Sequence, residues 1–206
     1  MPPTTVVFDL GGVLVDWDPR YAYRDMGGTE AEIEHFLAHV ATSDWNRQFD
    51  EGRPYADGIA ERKDQFPEHA AWLDAWRSRW PDMLGGPIDG TVAVLDDLDA
   101  AGVALYALTN WSAETFPIAR ERFDFLGRFR GIVVSGEVGT AKPDEAAFAH
   151  LTDGFGIEPA AAVFIDDSAP NVEVARRLGF AAVHFTSPDD LRRQLAALGL
   201  PVAAPV

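Results

Sequence analysis

The apolar run Val6-Val7-Phe8 stops on an aspartate, Asp9, and the glycines Gly11 and Gly12 follow at once. Branched and aromatic side chains in an unbroken run read as a buried strand. Glycines directly behind it let the backbone turn sharply and approach a bound group closely. A carboxylate at the carboxyl end of a parallel strand stands where open α/β sheets hold their ligands. Alone, Asp9 also fits a simple turn or cap residue. Three later stretches narrow the choice, because each carries a polar residue just behind an apolar run.

Between the first and second of these runs the pattern changes. Val13 to Trp17 reads as a short flap, and Asp18-Pro19-Arg20 breaks the strand pattern. Residues 18–86 then read as almost purely helical. Thr29-Glu30-Ala31-Glu32 has the form of a capping box, with Ile33, Phe36, Leu37 and Val40 at helical spacing behind it. The loop Asp50-Glu51-Gly52-Arg53-Pro54 separates this helix from a second helical run that reaches Gln65. Pro67 opens a third, on which Trp72, Trp76 and Trp80 recur every fourth residue and so share one face. Packing inside a small bundle is the first reading of that face; the sharper one is that a tryptophan lines a substrate pocket. Arg53, Arg77 and Arg79 read as solvated surface.

Gly85-Gly86-Pro87 marks the return to alternating helix and strand. A helix over 88–101 precedes the strand Val103–Leu108, and Ser112 is placed to cap the next helix. The strand Ile132–Val134 leads into a loop with Gly136, Gly139 and Lys142-Pro143. After another helix comes the strand Ala162–Ile165, then a helix opened by Pro170 and stopped at Gly179. A strand from Ala182 to Phe185 and a helix capped by Ser187 complete the pattern, and the tail after Gly199 reads as loose. The alternation predicts an α/β fold with a doubly wound parallel sheet. Its core is expected at 1–17 and 87–206, with an all-helical insert at 18–86.

Composition excludes several partners. The formal net charge of -16 repels nucleic acid and acidic membrane surfaces. No apolar run reaches the length of a membrane span, and Met1-Pro2-Pro3 runs into the first strand without the basic flank of a signal peptide. With no cysteine, thiolate catalysis and cysteine-ligated metals drop out, and a cytoplasmic location is expected. A small anionic substrate stays open, provided that positive charge is concentrated locally.

Asp9, Thr109 and the pair Asp166-Asp167 each follow a strand, and Lys142 lies in a loop after another. In a parallel sheet those strand ends emerge on one edge and converge. Carboxylates that close repel one another without a cation. Three aspartates and no thiolate suit a hard, oxygen-preferring ion, which points to Mg²⁺.

Phe8-Asp9-Leu10-Gly11-Gly12-Val13-Leu14, Leu108-Thr109-Asn110, Lys142-Pro143-Asp144 and Phe164-Ile165-Asp166-Asp167-Ser168 resemble, in order, the four motifs of the haloacid dehalogenase superfamily. The helical insert is similar to the small cap domain of its phosphatase-like and dehalogenase branches. The resemblance implies a hydrolase in which Asp9 is the nucleophile, attacking phosphorus to give an aspartyl-phosphate that water hydrolyses. It implies that Thr109 and the Asn110 backbone bind a phosphoryl oxygen and that Lys142 neutralises charge. It also implies that Asp9, the Gly11 carbonyl, Asp166 and Asp167 hold Mg²⁺, with Asn171 orienting their loop. Gly11, Gly12, Trp111 and Arg20 are expected to border the substrate, a small phosphorylated metabolite such as a sugar phosphate. The assembly is expected to be a monomer or a homodimer.

One position departs from the resemblance. Phosphatases of that family usually carry a second aspartate two residues after the nucleophile as general acid and base, and here Gly11 stands there. Two ways around the gap are a leaving group that needs little protonation and substitution by Asp16 or Asp18. The competing chemistry is metal-free dehalogenation of a 2-haloacid, a branch that also lacks the second aspartate. It is disfavoured because an unneutralised Asp166-Asp167 pair would repel the haloacid carboxylate. A catalytically weak domain that binds a phosphorylated ligand or a protein partner is the third reading.

Overall fold

A computed structural model describes residues 2–203; Met1 and 204–206, the end of the tail expected to be loose, lie outside the described residues. The chain opens with β1 (Thr5–Phe8) and β2 (Val15–Trp17). The insert follows as α1 (Arg20–Asp25), α2 (Glu30–His39), α3 (Ser43–Asp50), α4 (Tyr55–Gln65) and α5 (Ala70–Ser78), and ends on β3 (Leu84–Pro87). The remainder alternates: α6 (Asp89–Ala100), β4 (Ala104–Thr109), α7 (Phe116–Arg122), β5 (Gly131–Val134), α8 (Ser135–Val138) and α9 (Glu145–Phe155). Then come β6 (Ala162–Asp166), α10 (Ala169–Arg177), β7 (Ala181–His184) and α11 (Pro188–Ala197). No helix among the described residues is long and apolar enough to cross a membrane.

Five strands form one parallel sheet in the order β5-β4-β1-β6-β7. Side chains alternate across it with the strand period of two. Val6 and Phe8 therefore join Leu95 and Leu98 of α6 and Leu191 and Leu195 of α11 on one face. Val7 joins Phe148 and Leu151 of α9 and Ala175 of α10 on the other. Both faces of β1 are covered, which is why its sequence is apolar without interruption. The chain leaves β1 to pair first with β4 and later with β6 on the opposite side, so the carboxyl ends of these three strands frame the switch-point crevice.

β2 and β3 pair antiparallel, so both crossings between the sheet and the insert run through one two-stranded ribbon. Within the insert, Thr29 and Glu32 form the capping box expected from the sequence. Tyr23 stacks on Trp72 at 4.9 Å, and Trp76 meets Trp45 edge-on at 5.3 Å, so an aromatic core holds the helices together.

Three local expectations need correction. Trp80 does not extend the face of Trp72 and Trp76: α5 ends at Ser78, and Trp80 starts a separate 3₁₀ turn. Pro81 explains this, because the residue before a proline is driven out of the α region. Ser112 does not cap α7, which begins only at Phe116; the Ser112 hydroxyl instead accepts from the Glu114 amide at 3.2 Å in a local turn. The stretch 135–138, read as loop, is the short helix α8, closed by Gly139 in the left-handed conformation.

Candidate active site

Asp9 leaves the end of β1 one residue beyond the register pair Phe8–Ile165, and its amide donates to the Ile165 carbonyl at 2.8 Å. That register sets it beside Asp166, the last residue of β6. The Leu10 amide donates to Asp9 Oδ1 at 2.7 Å and fixes the carboxylate. Gly12 adopts φ +72°, and a Cβ there would fall 2.4 Å from Asp167 Oδ2, so only glycine lets this turn pass the acidic pair. A Cβ on Gly11 would meet nothing within 4 Å.

Lys142 is 1% exposed, and its Nζ lies 2.9 Å from Asp9 Oδ2 and 2.6 Å from Asp166 Oδ2. Burial works against its charge, but Asp166 and Asp9 outweigh that and hold the ammonium protonated above its usual range. Asp166 is the hub: besides Lys142, it accepts from the Ser168 amide at 2.8 Å and from Asn171 Nδ2 at 3.0 Å. The Asn110 side chain has a task that sequence reading missed. Its Oδ1 accepts from the Lys142 amide at 2.8 Å and its Nδ2 donates to the Lys142 carbonyl at 2.9 Å, pinning the backbone that carries the lysine. Thr109 is buried at the end of β4, on the same edge.

One ammonium does not balance three carboxylates. Asp9, Asp166 and Asp167 each offer an oxygen, all within 4.8 Å of one another. Burial drives the Asp9 carboxyl up to about 8 against the pull of Lys142, with Asp166 adding to the rise. An all-oxygen donor set with excess negative charge fits a hard divalent cation such as Mg²⁺, which would return Asp9 to the ionised state a nucleophile needs.

Above this edge lies a cavity of about 90 Å³. Gly11, Asn110, Trp111 and Ser112 form its floor, while Trp17 comes from the ribbon and Asp50, Tyr55 and Trp80 from the insert. The structure thus places Trp111 at the cavity; Trp17, Asp50 and Tyr55 join it there without a signal in the sequence. Of the three tryptophans, Trp80 lines this cavity, its ring tilted against Trp111 at 5.4 Å, and Trp76 lines a wider groove beside it. Among the described residues, no hydrogen-bond partner reaches the buried indole N–H groups of Trp17 and Trp111. A wider groove of about 550 Å³ shares Trp17, Asn46, Asp50 and Asn110 with the cavity and leads outward. Arg20 sits on the wall of that groove rather than beside Asp9, bonded to Glu34 at 2.5 Å and Asp18 at 3.1 Å. The insert is docked on the core: the Tyr55 amide donates to Glu114 Oε1 at 2.9 Å, and Arg77 pairs with the same carboxylate at 3.5 Å.

The model of the haloacid dehalogenase-like hydrolases matches residues 3–179. A sesquiterpene phosphatase, astK, of Aspergillus oryzae is 27% identical over 181 residues, covering 87% of this chain and 88% of that protein. A phosphoglycolate phosphatase of Thiobacillus denitrificans is 24% identical over 197 residues, covering 87% of this chain and 81% of the relative. Among solved structures, a HAD family enzyme from Bacteroides thetaiotaomicron in a magnesium complex superposes with a TM-score of 0.72 at 19% identity, covering 94% and 98% of the two chains. The family match over most of the chain, with an aspartate, a buried lysine and an acidic pair on one sheet edge, shows that this chain belongs to the haloacid dehalogenase-like hydrolases.

Proposed function

We infer that the chain is a Mg²⁺-dependent phosphatase of small phosphomonoesters, working through an aspartyl-phosphate on Asp9. The observation that carries this reading is the contact of Asp9 with Lys142 at 2.9 Å inside a cluster of three carboxylates. Phosphoryl transfer asks for positioning and charge neutralisation more than for covalent machinery. Asp9, Asp166, Asp167 and the Gly11 carbonyl would hold the cation, which when bound offsets charge on the nucleophile and the phosphoryl group. Lys142 holds the Asp9 carboxylate in line and adds the second positive charge. The Thr109 hydroxyl and the Asn110 backbone amide are assigned to phosphoryl oxygens. The docked insert narrows the access of water to the site. Phosphatases among the relatives support the same reading.

The deciding experiment measures phosphate release from a panel of sugar phosphates, glycerol phosphates and phosphoglycolate, with and without Mg²⁺, beside chloride release from 2-chloropropionate. Mg²⁺-dependent phosphate release that disappears in Asp9→Asn is the expected result. Metal-independent chloride release would establish dehalogenation instead, and silence on both would leave a binding domain.

A further inference from the structure

The reaction inferred above has a demand that its assigned residues do not meet. When the phosphorus–ester bond breaks, the electron pair stays on the leaving oxygen, and an alkoxide departs slowly unless a proton reaches it. Gly11 has no side chain to supply one. The two substitutes suggested by the sequence face elsewhere. Asp16 Oδ2 accepts from the Tyr21 hydroxyl at 2.8 Å, and Asp18 Oδ1 accepts from the Arg20 amide at 2.9 Å and from its guanidinium at 3.1 Å. Neither borders the 90 Å³ cavity.

Two side chains around that cavity carry a titratable proton, Asp50 and Tyr55. Burial moves the Tyr55 phenol far above its ordinary value, away from useful proton exchange. We propose that Asp50, delivered by the helical insert, is the general acid and base of this hydrolase, protonating the leaving oxygen and later deprotonating the attacking water. This rests on the phosphatase reading above and adds the residue that completes it.

The geometry supports the assignment from both sides of the seam. Asp50 is the last residue of α3 and borders both the inner cavity and the outer groove, where substrate and leaving group must pass. Asn46 Nδ2 donates to Asp50 Oδ2 at 3.2 Å and steadies the carboxyl, while no hydrogen bond among the described residues reaches Oδ1. Two residues on, Gly52 holds φ +94°, and a Cβ there would lie 3.0 Å from the Gly136 carbonyl. The turn behind Asp50 therefore abuts α8 of the core, whose Gly136 amide bonds the Trp111 carbonyl at 3.0 Å. Burial pushes the Asp50 carboxyl up to about 7, with Glu51 adding to the rise and Arg47 and Lys142 opposing it. Tyr55 on α4, Arg20 and Glu34 across the groove, and Asp44 on α3 are the other ionisable groups lining the cavity and groove, and Glu137 of α8 is exposed. Near neutral pH both protonation states are thus populated, as an acid that turns base requires.

The bonds balance. An Asp9 oxygen forms a bond to phosphorus as the phosphorus–ester bond breaks, and the leaving oxygen takes the Asp50 proton to depart as an alcohol. The Asp50 carboxylate then takes a proton from water as that oxygen bonds phosphorus. The bond to Asp9 breaks, its electron pair returns to the carboxylate, and phosphate leaves with Asp50 again protonated.

The test is Asp50→Asn in single-turnover reactions with Mg²⁺, comparing glycerol phosphate with p-nitrophenyl phosphate, whose leaving group needs no proton. The expected result is a fall of about 10²–10⁴-fold on the alkyl ester, with less than about 10-fold on p-nitrophenol release. The alkyl rate of the wild type should also decline above pH of about 7, a limb that vanishes in Asp50→Asn. Asp50→Glu, which keeps the acid, should recover part of the alkyl rate and guards against misfolding of the amide variant. Parallel losses on both esters, or an unchanged alkyl rate, would overturn the assignment while leaving the phosphatase reading intact. A wild type inert toward every monoester would overturn both.

Discussion

Lys142→Met tests how the buried charges are held. Methionine keeps most of the aliphatic stem, so little cavity is created, although the ammonium 5.6 Å from the Phe164 ring centroid is lost with the charge. What disappears is the ammonium between Asp9 and Asp166, at 2.9 Å and 2.6 Å, in a position with no solvent access to its side chain. Asp166 keeps its bonds to Ser168 and Asn171, and the Asp9 carboxyl can escape by taking up a proton, so the two losses do not simply add. Removing one partner of a buried ion pair costs about 3–5 kcal/mol. For a chain of 206 residues that is a fall in Tm of about 6–20 °C. Thermal unfolding followed by circular dichroism, in EDTA and in excess MgCl₂, reads the effect. The variant should be strongly destabilised without metal and should regain more stability from Mg²⁺ than the wild type does, because the cation then supplies the missing positive charge. A loss below about 1 kcal/mol in EDTA would refute the reasoning, since surface-like substitutions cost that little.

Gly12→Ala should lose about 1–2 kcal/mol through its left-handed backbone alone. Because the new methyl would press on Asp167, Mg²⁺ affinity measured by calorimetry should fall as well; unchanged affinity would remove Asp167 from the metal set. Asp16→Asn and Asp18→Asn should leave turnover within about twofold of the wild type, as expected for changes outside the site. A large loss in either would return the proton to the ribbon.

How much of this was legible beforehand follows from the range of the interactions involved. The sheet and the cluster Asp9, Lys142, Asp166 and Asp167 announce themselves locally, because a strand buried on both faces must be apolar and its polar terminus then stands out. Trp80 falls outside the face that its spacing suggests because period alone ignores the conformational veto of Pro81. Ser112 reads as a cap in the sequence because its hydroxyl chemistry is identical in a turn and at a helix start. The site roles of Asp50, Tyr55 and Trp17 arise only when the insert closes on the core, and no spacing within residues 18–86 encodes that seam. Asn110 carried a signal of position but not of partner: the two hydrogen bonds to Lys142 span a sequence separation of 32 residues.

The central claim is that Asp9 itself takes up the phosphoryl group with Mg²⁺ at its side. Acid-quenched wild-type protein, stopped during turnover of a monoester and mapped by peptide mass spectrometry, reads this directly. The account predicts a phosphoryl adduct on the peptide containing Asp9, formed only with Mg²⁺ and absent from Asp9→Asn. Turnover without that adduct, or an adduct on another residue, would contradict it.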